Sequence, residues 1–152
     1  MYTTSVQQHV TASRAAVYAA LVDPERVVRW RVPDGMRGEV EWLDREDGRF
    51  RVTLTYDGEG TGKTAGRSDS YLARFVTIEP EHLVVETMSF EADDPGLVEP
   101  MTMTTTVVDA PDGSGCVVTM VHEGVPDAVP RQDNELGMRM ALKNLARYVE
   151  GG

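Results

Sequence analysis

Residues 131–149 read RQDNELGMRMALKNLARYV, and this stretch decides how the chain folds. Met138, Ala141, Leu142, Leu145, Tyr148 and Val149 follow the i, i+3, i+4, i+7 spacing that places apolar side chains on one face of a helix, while Lys143, Arg147 and Glu150 fall elsewhere on the wheel. The segment ahead of it has a different period. In FRVTLTY, residues 50–56, Phe50, Val52, Leu54 and Tyr56 alternate with Arg51, Thr53 and Thr55, the repeat of a strand with one buried face. The pattern therefore predicts a sheet that ends in one long helix.

Further strand signals flank FRVTLTY on both sides. Val40 and Trp42 alternate with Glu39 and Glu41, and Asp47-Gly48 is a hairpin signal between the two runs. SDSYLARFVTIEP (68–80), HLVVETMSFE (82–91), MTMTTTVVD (101–109) and CVVTMVHEG (116–124) follow, separated by DGEGTGKTAG, ADDPGLVEP and APDGSG. Residues 3–10 read as a first strand. Ser13 is a candidate N-cap for the helical run RAAVYAALVD, and Pro24 opens a second short helix, PERVVRW.

The order is one strand, two short helices, about six strands and one long helix. An antiparallel sheet joined by hairpins has one face to cover, and the long helix is the element available to cover it. The expected architecture is α+β: a curved antiparallel sheet of six to seven strands gripping the C-terminal helix in a single domain over residues 1–152. One helix is too narrow to fill the concave face of such a sheet, so an apolar cavity is expected.

The blocks ASRAAVYAALVDPERVVRW, RFVTIEPEHLVVE and VHEGVP, followed by DNELGMRMALKNLARYVEG, resemble the START/Bet v 1-like (SRPBCC) superfamily. Within it they are similar to the branch named after the C-terminal domain of the activator of Hsp90 ATPase. The resemblance spans nearly the whole chain and implies the helix-grip fold. It does not choose among lipid carriers, hormone receptors, polyketide cyclases, hydrolases and co-chaperones, because fold does not fix function. The family often has Gly-Trp where this chain has Gly137-Met138, which implies a roomier and more adaptable pocket.

The expected cavity lining is Trp30, Met36, Tyr56, Tyr71, Phe75, Met88, Met101, Met103, Met120, His122, Met138 and Leu142. Met36, Met88, Met101, Met103, Met120, Met138 and Met140 cluster, apart from Met36, in the second half of the chain; methionine suits a wall that must accept varied apolar shapes, and also suits ordinary core filling. His122 shares a strand face with Val118 and Met120. If that face is the inner one, it can bond a ligand or move a proton; otherwise it is a core histidine satisfied by a neighbour. Glu86 interrupts the apolar run HLVVETMSF. Either it points to solvent with Val85 and Thr87 inside, or it follows Met88 and Phe90 inward and becomes a candidate base; solvent is the default for a carboxylate.

Other chemistries find little support. GEGTGKT, residues 58–64, is one residue short of a phosphate-cradling loop and joins two strands rather than a strand and a helix. His9, His82 and His122 are scattered, and HEG at 122–124 lacks the second histidine of a zinc helix, so no metal or cofactor is expected. The net charge of −10 opposes binding to nucleic acid and to anionic membrane surfaces. A lone cysteine, Cys116, rules out an intramolecular disulfide. Together with the lack of a signal segment or a 20-residue apolar run, it points to the cytoplasm. The expected function is non-catalytic binding of a small hydrophobic molecule. A cyclase or aromatase using the same cavity is the alternative, and an Hsp90-related module ranks third. A sheet edge or cavity rim could support a homodimer.

Overall fold

A computed structural model describes residues 1–32, 35–56, 68–93, 95 and 98–151, with backbone alone at residues 56 and 68. The glycine-rich stretch at 58–64 and the Tyr56 side chain lie outside the described residues. The element order is β1 (Tyr2–Val10), α1 (Arg14–Leu21), α2 (Pro24–Trp30), β2 (Met36–Asp44), β3 (Arg49–Tyr56), β4 (Ser68–Glu79), β5 (Leu83–Phe90), β6 (Met101–Asp109), β7 (Cys116–Val125) and α3 (Arg131–Glu150). The seven strands form one antiparallel sheet in the order β1-β7-β6-β5-β4-β3-β2, so β1 and β2 are its edges. The fold is the expected α+β helix-grip arrangement.

Local chemistry accounts for the helix starts. Ser13 accepts a hydrogen bond from Ala16 N at 3.1 Å, and Asp23 accepts one from Glu25 N at 3.0 Å with Pro24 at the first helical position. Ser13→Ala should therefore cost about 1 kcal/mol, lowering the thermal midpoint by about 2–4 °C in calorimetry. An unchanged midpoint would mean that tertiary packing alone fixes the start of α1.

The concave face follows from alternation. Along β6, Met101, Met103, Thr105 and Val107 are buried, and along β7 Cys116, Val118, Met120 and His122 are buried. The register lines these residues up across strands. One row runs Thr4, His122, Met103, Glu86, Phe75 through β1, β7, β6, β5 and β4. Near its end β7 carries a bulge: Thr3 opposes both Glu123 and Gly124, the latter at φ +74°. The extra residue turns Val125 back to the inside, so His122 and Val125 are both buried.

The interior has two unlike halves. Under the C-terminal part of α3, Leu142, Leu145 and Ala146 pack with Val17, Leu21 and Val27 from α1 and α2 and with Val10, Val84, Val107, Cys116 and Val118 from the sheet. Under its N-terminal part lies open space. Gly38 lets β2 come close to α2: a Cβ there would stand 2.7 Å from Val32 Cγ2 and 2.9 Å from Val28 Cβ. That approach sets Val28 and Val32 at the wall of the open half.

Candidate functional site

The open half is a cavity of about 680 Å³, within the range of small-molecule pockets. Its wall comes from most of the elements. α2 and the residues after it give Val28, Arg31 and Val32; β2 gives Met36; β3 gives Leu54; β4 gives Asp69 and Tyr71. β5 supplies Met88 and Phe90, β6 Met101 and Met103, and β7 Met120, His122 and Val125. The roof is residues 128–130 and the first turns of α3, where Asp133, Asn134, Gly137, Met138 and Ala141 face down. Six methionines, five from the sheet and one from the roof, thus border the space, and a Cβ at Gly137 would meet nothing within 4 Å.

Eight residues expected from sequence line this space: Met36, Tyr71, Met88, Met101, Met103, Met120, His122 and Met138. Three do not. Trp30 is fully buried beneath α1, its indole N–H donating to Ala20 O at 3.0 Å, so it belongs to the packed half rather than to the mouth. Leu142 lies one turn too far along α3 and fills the same packed half. Phe75 stacks on Phe50 at 5.2 Å between ring centroids, where the two core clusters meet. Periodicity identifies an inward side chain in each case but cannot separate wall from filling.

The default of an exposed Glu86 is also corrected. Glu86 is 1 % exposed, and Arg31 donates to both its oxygens, Nη1 to Oε1 at 3.0 Å and Nη2 to Oε2 at 2.9 Å. Arg31 follows α2 directly and lies with its guanidinium 4.9 Å over the Trp30 ring. Burial opposes the arginine charge, but the Glu86 carboxylate and Tyr71 outweigh it, and the Arg31 pKa is raised. Burial likewise raises the Tyr71 phenol, with Arg31 pulling the other way and Glu86 adding to the rise. Glu86 is inside, yet it is held as the partner of a cation rather than as a free base.

His122 belongs to a second polar group. The Thr4 hydroxyl donates to Asn134 Oδ1 and sits 3.0 Å from Met138 Sδ, and Asn134 Nδ2 donates to His122 Nδ1 at 3.1 Å. Nδ1 is thereby the acceptor, so the ring carries its proton on Nε2. Burial first, and the Arg31 charge second, lower the His122 pKa to about 4, which keeps the ring neutral near pH 7. Arg31, Asn134 and Asp69 were not singled out from sequence. A legible signal existed for Asn134, which stands four residues before Met138 on the apolar stripe of α3.

Among the described residues no group of three or more His, Cys, Asp or Glu side chains stands together as a metal site. Nor, among the described residues, is any helix long and apolar enough to cross a membrane.

Solved structures share this architecture. A protein from Chromobacterium violaceum is 28% identical, with a TM-score of 0.82 over 97% of this chain and 96% of that one. The AHSA1 protein from Silicibacter pomeroyi is 17% identical, with a TM-score of 0.77 over 98% of each chain. A protein from Arthrobacter aurescens is 17% identical, with a TM-score of 0.77 over 99% of this chain and 87% of that one. No curated protein matches the chain. The profile of the family described as activator of Hsp90 ATPase homolog 1-like protein matches residues 11–150. With the sheet, its gripped helix and that match over nearly the whole length, the chain belongs to the activator of Hsp90 ATPase homolog 1-like family of the SRPBCC superfamily.

Proposed function

We propose that the protein binds one small hydrophobic molecule in its cavity, of lipid, aromatic or polyketide-like character, without transforming it. The observation that carries this reading is the methionine-rich hollow of about 680 Å³ under the first turns of α3. A core built only for stability is packed to near-crystal density. Here flexible thioethers from Met88, Met101, Met103, Met120 and Met138 face open space, and such side chains adapt to varied apolar shapes.

Catalysis has weaker support, for physical reasons. A general base must be free to take a proton. Glu86 is clasped at both oxygens by Arg31, and the acceptor nitrogen of His122 is occupied by Asn134. The groups that a cyclase-like mechanism would use are committed to each other or to the scaffold.

The test is to fill the space. Ala141 lines the roof at the border with the packed half, and Ala141→Trp would place an indole in the cavity. Screening lipids and aromatic compounds by thermal shift and native mass spectrometry should give a one-to-one binder for the natural protein. The Trp variant should bind it at least about tenfold more weakly, since displaced contacts are not replaced. A screen without any binder, or a binder that tolerates Ala141→Trp, would refute cavity binding.

A further inference from the structure

Among the described residues, the cavity wall carries two polar hydrogens with nothing to receive them. His122 is 7 % exposed, its Nδ1 is taken by Asn134, and its Nε2 has no hydrogen-bond partner among the described residues. Arg31 spends Nη1 and Nη2 on Glu86, and its Nε is likewise without a partner. Both atoms are donors. A buried donor left unmade costs about 1–3 kcal/mol, so such groups are normally matched when the site is in use.

Among the described residues, none offers His122 Nε2 an acceptor. On the sheet its ring stands between Met103 on β6 and Thr4 on β1, with Met120 two residues earlier on the same face. The Thr4 hydroxyl is turned toward Asn134 and Met138, and both Glu86 oxygens are held by Arg31. An ordered water needs two to four polar partners, which thioethers supply poorly. His122 lines the cavity, so a group entering there can supply the acceptor once the flexible thioethers beside the ring give way.

We infer that the cavity takes an uncharged hydrophobic molecule bearing a carbonyl-type oxygen, and that His122 Nε2–H donates to that oxygen. The inference rests on the ligand-binding reading above and narrows it to a chemical class. The scaffold sets the donor in place: the chain from the Thr4 hydroxyl through Asn134 to Nδ1 fixes the ring and leaves the proton on Nε2. Charge argues against a carboxylate ligand. Among the described residues the guanidinium in the wall is that of Arg31, which Glu86 neutralises, whereas the Asp133 carboxylate also lines the space. An anion would be desolvated there without a matching cation among the described residues of the wall.

The test uses three probes of one shape: 9-fluorenone, which carries a carbonyl, fluorene, which lacks it, and fluorene-9-carboxylate. Dissociation constants measured by calorimetry should favour fluorenone over fluorene by at least about tenfold, because a site with a buried donor rejects the analogue that leaves it unpaired. The carboxylate should bind more weakly than fluorenone. The fluorenone-to-fluorene ratio should fall to about one in His122→Met and persist in His122→Gln, whose amide N–H can stand in for Nε2–H. The ratio is the readout, not either affinity alone. Should the Met variant fail to fold, nitrogen-15 NMR of the natural protein decides: the Nε2–H resonance should shift with fluorenone and not with fluorene. Equal binding of both probes, a ratio that survives His122→Met, an unmoved Nε2–H resonance in the fluorenone complex, or tightest binding of the carboxylate would overturn the inference while leaving cavity binding intact. Failure of all three probes to bind would count against both.

Discussion

Replacing Glu86 with alanine should remove about 3–5 kcal/mol of stability at neutral pH, because it strands the Arg31 guanidinium in the interior. The side chains are 14 % and 1 % exposed, so water cannot take over the broken bonds without opening the wall of the cavity. Arg31→Met should be comparably damaging for the converse reason, since it leaves a lone carboxylate inside. The double change Arg31→Met with Glu86→Leu should recover most of the loss, as buried pairs often break even against apolar groups of similar size. A double-mutant cycle from urea denaturation at pH 7 measures all of this. Single variants that each cost under about 1 kcal/mol would show that the pair is hydrated and contributes as a surface pair does.

Acidification should destabilise the protein through His122. In the folded state its pKa is depressed from 6.5 to about 4, so between those values the unfolded chain binds a proton that the folded one refuses. Stability attributable to this residue is therefore full above about pH 6.5, declines as pH falls toward about 4, and changes no further below that. The span is about 3 kcal/mol. His122→Gln keeps the acceptor that Asn134 needs and does not titrate. The difference in unfolding free energy between the natural protein and this variant should shrink by that amount from pH 7 to pH 4. A difference that stays flat across the window would place the imidazole in water. Retaining the Asn134 bond requires a neutral Nδ1, so the same proton that weakens the fold also breaks the arrangement that orients the ring.

The elements were legible because each has an unambiguous period. The alternation of FRVTLTY and MTMTTTVVD, the cap at Ser13 and the stripe along α3 all became structure at the expected places. The polar organisation of the cavity was not legible, and the reason is distance along the chain. Glu86 is drawn inward by Arg31, 55 residues away, and His122 is oriented by Asn134, across the turn into α3. No local pattern in HLVVETMSF can reveal a partner contributed by a short helix near the N-terminus. Val125 escaped for another reason: the bulge at Gly124 adds a residue and reverses which face the next side chain takes. Trp30 and Leu142 were read as inward, and they are, but an apolar residue that fills a core and one that borders empty space carry the same sequence signal.

The uneven interior divides labour along one helix. The last turns of α3, with Leu142, Leu145 and Ala146, anchor the tertiary structure, whereas the first turns, from Asp133 to Ala141, touch mainly the hollow. On those first turns Met138, Ala141 and Asn134 are tied to the fold, but exposed positions such as Asp133 and Gly137 are not, so the shape of the hollow can change there at small risk to folding. The lining of the hollow can drift while architecture holds, which fits a shared backbone at a sequence identity of 17%.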